Sequence, residues 1–278
     1  MDKNCIISLI LLIVPFVPMF SDDVIIPFEE KLAINIFSSY KSGDFSHNFN
    51  TDYATEEPWN IGLGIRYKNI SAQFSIPISF SSSFDAEVNS YFDNLYYELF
   101  CKHYTDFYDD KQGDENNIGL DIFSTGISVA WVHNNKNHSL SSVLKMNMKQ
   151  TASSGSLVYG FGTYFSSIYS NDRLSFYNDR QNILYFGPSI GYSYIFVFNN
   201  GFFMNLALSL RPNIGIGLNG TTVLFAPQVE PRIVIGHHHT AWSINLKMMH
   251  NSTIFLWNNS RIDMLGLATI TMMFSRRI

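Results

Sequence analysis

The chain has 278 residues and a net charge of −5, and its 15% of charged residues is matched by 15% aromatics, among them 24 Phe and 15 Tyr. An ordinary soluble protein is roughly 25% charged, and disorder requires few aromatics and many charges; neither class fits. No basic field exists to hold a phosphate backbone, so no nucleic-acid partner is expected, and two cysteines make neither a disulfide framework nor a cysteine-built zinc site.

The chain opens with Met1-Asp2-Lys3-Asn4, continues through an apolar run from Cys5 to Phe20, and leaves it at Ser21-Asp22-Asp23. A charged start, an apolar stretch short for a membrane helix and a polar exit form the pattern of a secretory signal peptide. It is expected over residues 1–21, leaving 22–278 as one domain with Cys101 as its single cysteine. The small residue usual before such a cut is absent, so an uncleaved anchor is the alternative. No later segment reaches the ~18 continuous apolar residues of a membrane helix.

Period-two alternation follows instead. Ile61, Leu63, Ile65 and Tyr67 face away from Asn60, Gly62, Gly64 and Arg66. Ile70, Ala72, Phe74, Ile76, Ile78 and Phe80 alternate with Ser71, Gln73, Ser75, Pro77 and Ser79. Tyr91 to Tyr108 reads as a long aromatic strand. Phe123 to Trp131 sets Phe, Thr, Ile, Val and Trp against Ser124, Gly126, Ser128 and Ala130, and Trp242, Ile244, Leu246 and Met248 repeat the pattern against Ser243, Asn245 and Lys247. A last strand is predicted over Ile262 to Phe274, and the chain then ends Ser275-Arg276-Arg277-Ile278. Phe274 is the near-terminal aromatic, and the four residues after it depart from the usual ending. Alternate side chains of a strand point to opposite faces, and runs of about ten residues match the length a tilted strand needs to cross a bilayer.

The links between these runs fall into two kinds. Lys68-Asn69, Asn134 to Asn137, Asn199-Asn200-Gly201 and Gly236 to Thr240 read as short turns. Ser42 to Pro58, Ser81 to Asn89, Asp109 to Asn117, Tyr169 to Asn182 and Asn251 to Ser260 read as longer polar segments. Short turns on one rim and longer loops on the other describe an outer-membrane barrel. A soluble lipocalin-like barrel also alternates, but its polar face would be rich in charge. Here the second face is mostly Ser, Gly, Asn and Thr, with sparse charges such as Arg66, Lys145, Glu230, Arg232 and Lys247, which suits a narrow lumen.

Several stretches resemble a family of bacterial outer-membrane barrels catalogued as domain of unknown function 4421. They are Lys31 to Phe37, the Gly-x-Gly strand Asn60 to Lys68, Lys149-Gln150-Thr151-Ala152-Ser153-Ser154-Gly155-Ser156-Leu157, Gly187 to Tyr192, and Gly236-His237-His238. The last departs from the family's Gly-Tyr-Asn. The resemblance implies an outer-membrane barrel and brings no activity or catalytic residues with it.

Motifs that could carry chemistry are weak in context. Gly187-Pro188-Ser189-Ile190-Gly191 matches a nucleophile elbow, yet strand-like residues flank it where a helix should follow. Gly215, Gly217 and Gly220 match a dinucleotide fingerprint, yet β-rich residues follow. His237, His238 and His239 are adjacent and cannot converge on one metal from a strand, though in a turn two of them could join His133 and His138 as ligands. Asp106, Asp109, Asp110, Asp114 and Glu115 do not fit the EF-hand spacing. His103, with Asp93 and Asp106 nearby, is the one strand-like candidate base, and its surroundings read as an aromatic girdle. No catalytic, cofactor-binding or metal-binding residue is assigned, and no cofactor is expected.

The sequence thus predicts an all-β protein: a closed antiparallel transmembrane barrel of about 12 strands, in the range 10–14, in a bacterial outer membrane. Its expected partners are membrane lipids, the outer-membrane insertion machinery, and an extracellular ligand or small solute met through long loops or lumen. A structural, channel or surface-binding role without catalysis is the expectation. The alternatives are a membrane-embedded lipid-modifying or hydrolysing enzyme and a secreted lipocalin-like binder. At a dozen strands side chains can fill much of the lumen, so little or no conductance is expected.

Overall fold

The computed structural model describes residues 24–47, 51–55, 58–79, 82–92, 94–105, 107–109, 120–170, 180–218, 222–257 and 262–278. The expected signal peptide, residues 1–21, lies outside them. Sixteen strands run in chain order: β1 Ile25–Pro27, β2 Leu32–His47, β3 Thr51–Thr55, β4 Trp59–Tyr67, β5 Ile70–Pro77, β6 Phe84–Phe92, β7 Leu95–Tyr104 and β8 Phe107–Asp109. Then come β9 Leu120–Val132, β10 Met148–Gln150, β11 Ser154–Ser170, β12 Gln181–Val197, β13 Phe202–Gly217, β14 Thr222–His238, β15 Trp242–Trp257 and β16 Ile262–Arg277. Among the described residues one short α-helix, α1, spans Leu140–Leu144. Among the described residues no helix is long and apolar enough to cross a membrane; the crossing is made by strands.

Twelve strands form the wall. Each pairs antiparallel with its neighbour, and β16 pairs with β2 from Asp263↔His47 to Arg277↔Ala33, which closes the barrel. Closure removes the free edges that an open sheet would present. The alternation runs as the sequence predicts. On β13, Phe202, Leu206, Leu208, Leu210, Ile214 and Ile216 are exposed on the outside, while Asn205, Asn213 and Gly217 are buried inside. On β5, Phe74 is 50% exposed and Ser75 3%. The outer wall therefore presents Ile, Leu, Val and Phe where a soluble barrel would present charge, which sets aside the lipocalin-like alternative.

The wall is uneven. β4 to β7 have 8–10 residues, whereas β2 and β11 to β16 have 16 or 17. At ~3.3 Å per residue and ~40° of tilt, these stand about 23 Å and about 40 Å tall. Above the low side, β3 pairs with the end of β2, and β8 pairs with β3. That small sheet places Phe107 in an apolar cluster inside the tall wall, with Phe45, Leu120, Ile168, Ile183 and Phe255.

Several sequence expectations change. Tyr91 to Tyr108 is not one strand: it turns after Phe92, and Tyr91 pairs with Tyr96 across a tight hairpin. Much of Ser42–Pro58 and Asn251–Ser260 is strand rather than loop, because β2 runs to His47 and β15 to Trp257. β16 extends past Phe274 to Arg277. Asn134–Asn137 is a turn, but it leads into residues that fold back into the lumen instead of directly into the next strand.

Candidate functional site

The start of β2, the end of β16 and the tight links at Lys68-Asn69, Asn199–Gly201 and His239–Ala241 share one rim, which is the periplasmic one in barrels of this kind. There the lumen is plugged. After β9 the chain turns at Asn134 and sends residues 138–150 inside, as α1 followed by β10. Ser139 caps α1 by accepting a hydrogen bond from Ser142 N at 3.2 Å. Leu140, Val143 and Met146, three residues apart, are all buried, and each enters a different patch of wall. Leu140 meets Tyr91, Tyr96 and Val132; Val143 meets Ile195, Phe203 and Val234; Met146 meets Phe37 and Met273. The N-terminal β1 pairs with β10, from Ile25↔Gln150 to Pro27↔Met148, and completes the plug.

The plug is latched by the stretch that resembles the family motif. Gln150 accepts a hydrogen bond from Ser139 N (3.0 Å) and donates to Ala152 O (2.9 Å) and Ser154 Oγ (2.8 Å). Ser153 Oγ accepts from Val197 N, Ser154 Oγ donates to Asn137 O, and Ser156 Oγ accepts from Asn134 N. His138 is fully buried behind them, donating from Nδ1 to Ser154 O (3.2 Å) and accepting at Nε2 from Ser193 Oγ (3.1 Å). Burial pushes its imidazole down to about 4; the Arg232 charge adds to this, and the Ser154 carbonyl opposes it. From the wall, Arg277 donates to Met146 O in the plug and to His239 O and Thr240 O at the rim, with its guanidinium 3.3 Å above the Phe28 ring. The unusual chain ending thus contributes an anchor.

Between the plug and the outer apolar cluster lies a chamber. Its plug-side half is charged, with Lys145 on Glu87 (3.0 Å) and Arg211 on Glu230 (3.1 Å). Its outer half is aromatic, lined by Phe100, Tyr104, Tyr164 and Tyr185. Four of the charges that the sequence assigned to the second face, Lys145, Glu230, Arg232 and Lys247, line this chamber. Lys145 reaches it from the plug rather than from a strand. Arg66 also faces inward and is buried, on β4.

The other motif residues are dispersed. His237 lies outside, against Phe202 and Trp242; His239 stacks on Trp242, and His133 sits edge-on to Trp131. His238 points inward onto Ser243 Oγ (2.9 Å). The rings of His237, His239 and His133 belong to an aromatic belt at the periplasmic rim. His103 Nε2 meets Asp121 Oδ1 at 3.0 Å and its Nδ1 meets Ser82 O at 3.1 Å, among Phe84 and Phe123 on the outer wall. Both ring nitrogens are occupied, and among the described residues no serine, cysteine or threonine side chain is bonded to them. Gly187, Ser189 and Gly191 lie within β12, and Gly215 and Gly217 within β13, so neither glycine motif opens a helix. Gly220, Asp93, Asp106 and the acidic side chains from Asp109 to Glu115 lie outside the described residues. Among the described residues, no three His, Cys, Asp or Glu side chains are grouped to hold a metal ion.

A family model described as Domain of unknown function (DUF4421) matches residues 23–267. The chain belongs to the DUF4421 family. No curated protein matches it by sequence. Three solved structures share the architecture. An outer-membrane channel from Pseudomonas putida F1 is 10% identical with a TM-score of 0.40, over 93% of this chain and 99% of its own. The outer-membrane protease OmpT of Escherichia coli is 7% identical with a TM-score of 0.37, over 95% and 99%. The toluene transporter TodX of P. putida is 5% identical with a TM-score of 0.32, over 90% of each chain. Likeness this remote carries no argument about activity or cargo. With its apolar outer wall, closed ladder and rim of aromatics, the DUF4421 chain is a bacterial outer-membrane β-barrel.

Proposed function

We propose that this DUF4421 barrel is a gated conduit for a small solute, without catalysis. The observation that carries the reading is the plug. A barrel serving only as a scaffold needs no polar chamber, and a chamber held between an apolar outer cluster and a latched periplasmic plug is suited to holding a solute until the plug moves. The apolar contacts of Leu140, Val143, Leu144 and Met146 are few enough to break without disturbing the wall ladder. Planar-bilayer recording tests this. The full chain should be silent or weakly conducting, and a variant with residues 135–152 replaced by a short Gly-Asn linker should conduct steadily. Equal conductance in both would remove the plug as a barrier and with it the gated reading.

A further inference from the structure

We infer that the chamber is a binding site for a small organic anion with an apolar or aromatic portion, gripped by Lys247 together with Arg232 and Lys102. The inference rests on the solute-conduit reading and names its class of solute.

Charge pairing inside the lumen carries the argument. Asp85 is engaged by Lys41 (2.7 Å) and by the Tyr104 hydroxyl (3.2 Å). Glu87 is saturated: Oε1 receives Lys145 and Asn89, and Oε2 receives Gln73 at 2.8 Å. Glu230 takes Arg211 on Oε2. Three cations and three carboxylates are thereby matched. Three further cations have no carboxylate of their own. Lys102 shares Asp85 at 3.9 Å and Arg232 shares Glu230 at 3.8 Å, ion-pair distances that lie beyond hydrogen-bond reach, and Arg232 Nε is buried with no hydrogen-bond partner. Lys247 has no ion pair or hydrogen bond among the described residues. One carboxylate, Glu98, has no ion pair or hydrogen bond among the described residues, and the charges lining the chamber sum to two positive in excess.

A cation held away from bulk water without a partner is costly, and an anion brought beside it offsets that cost. Lys102, Arg232, Lys247 and Glu98 all line the one chamber, whose outer half is Phe100, Tyr104, Tyr164 and Tyr185. The Lys102 ammonium lies 5.3 Å from the Phe100 ring, at the border of the two halves. A molecule that puts a carboxylate toward the plug and an apolar body toward the aromatics satisfies both halves. Convergent polar groups beside apolar walls are the usual build of a small-molecule site.

The test uses the full chain in lipid nanodiscs, titrated calorimetrically with phenylacetate, hexanoate, 2-phenylethanol and phenethylamine. Both carboxylates should bind saturably, the alcohol at least tenfold more weakly, and the amine not at all. Lys247→Met should weaken phenylacetate at least tenfold, while Lys247→Arg should keep it within threefold. Heat-modifiable gel migration verifies that each variant is folded, and should the Met variant not fold, the amine and alcohol arms still decide. Binding of phenethylamine as tight as phenylacetate, no binding of either carboxylate, or an unchanged affinity in folded Lys247→Met overturns the inference. If the linker variant conducts but neither carboxylate binds, the anion site falls and the conduit stands. If phenylacetate binds while the linker variant stays silent, the conduit falls alone.

Discussion

Replacing Gln150 with alanine probes the latch with the wall left intact. The side chain makes three hydrogen bonds, all inside the plug and its junction with β11. Truncation leaves Ser139 N–H, in a residue 1% exposed, with no acceptor. Ala152 O also loses its donor, whereas Ser154 Oγ keeps its bond to Asn137 O. One fully buried orphan costs about 1–3 kcal/mol and a partly buried one less, so docking should weaken by about 3 kcal/mol in all. At 1.4 kcal/mol per factor of ten, the undocked plug becomes about a hundredfold more populated. Native-state hydrogen exchange in nanodiscs reads this directly. Amides of residues 140–147 should lose about two orders of magnitude of protection while those of β13 keep theirs. Lys149→Ala, one position away and without a side-chain hydrogen bond among the described residues, should leave both unchanged. Equal loss in plug and wall, or full protection in Gln150→Ala, would refute the latch.

The facing of β5 predicts that Ile76→Arg, which sets a charge against lipid, costs about 2–4 kcal/mol. Gln73→Arg should cost far less, because that position points inward onto Glu87; urea midpoints in liposomes compare the two, and equal losses would reverse the assigned faces. Ser75 is a poorer inward control, since it already accepts Lys41 Nζ at 3.1 Å. His138 predicts a pH dependence of plug docking. Its folded value near 4 lies below the ordinary value of 6.5, so the undocked form binds more protons between them, and docking weakens as pH falls through that window. Protection of residues 140–147 should drop between pH 7 and pH 5 in the native protein and not in His138→Asn; a rise toward acid would contradict the burial of a neutral ring.

The wall was legible in the sequence because its two faces meet different surroundings, so every second residue reports its side. Leu63 beside Gly62 and Phe74 beside Gln73 are such pairs. The sparse charges on the small-residue face were legible for the same reason. The plug was not. Its fully buried apolar residues among those described are Leu140, Val143 and Met146, with Leu144 half-buried beside them, too few for a helical period to stand out, and the Asn-rich turn before it looks like any hairpin end. The apolar filling at the outer end was hidden too: Leu120, Ile122, Ile168 and Ile183 alternate as strand residues do, and alternation does not say which face is the core. The latch lay in plain view as Gln150 to Ser156, but a run of small polar residues shows its purpose only once its carbonyl and amide partners are placed.

The seam between β2 and β16 sets an order of assembly. Its partners, from Ala33↔Arg277 to His47↔Asp263, are more than 200 positions apart in the chain, so this contact carries the largest loop-closure entropy in the molecule. Arg277 sits on that seam, Phe28 lies just before it, and Met146 O is what Arg277 grasps in the lumen. The anchor therefore forms only as the ends of the barrel meet. Until then the twelve strands are an open sheet around a segment that only its own latch to β11 and β12 holds, and Arg277 grips the plug in the same event that makes the lumen an enclosed space.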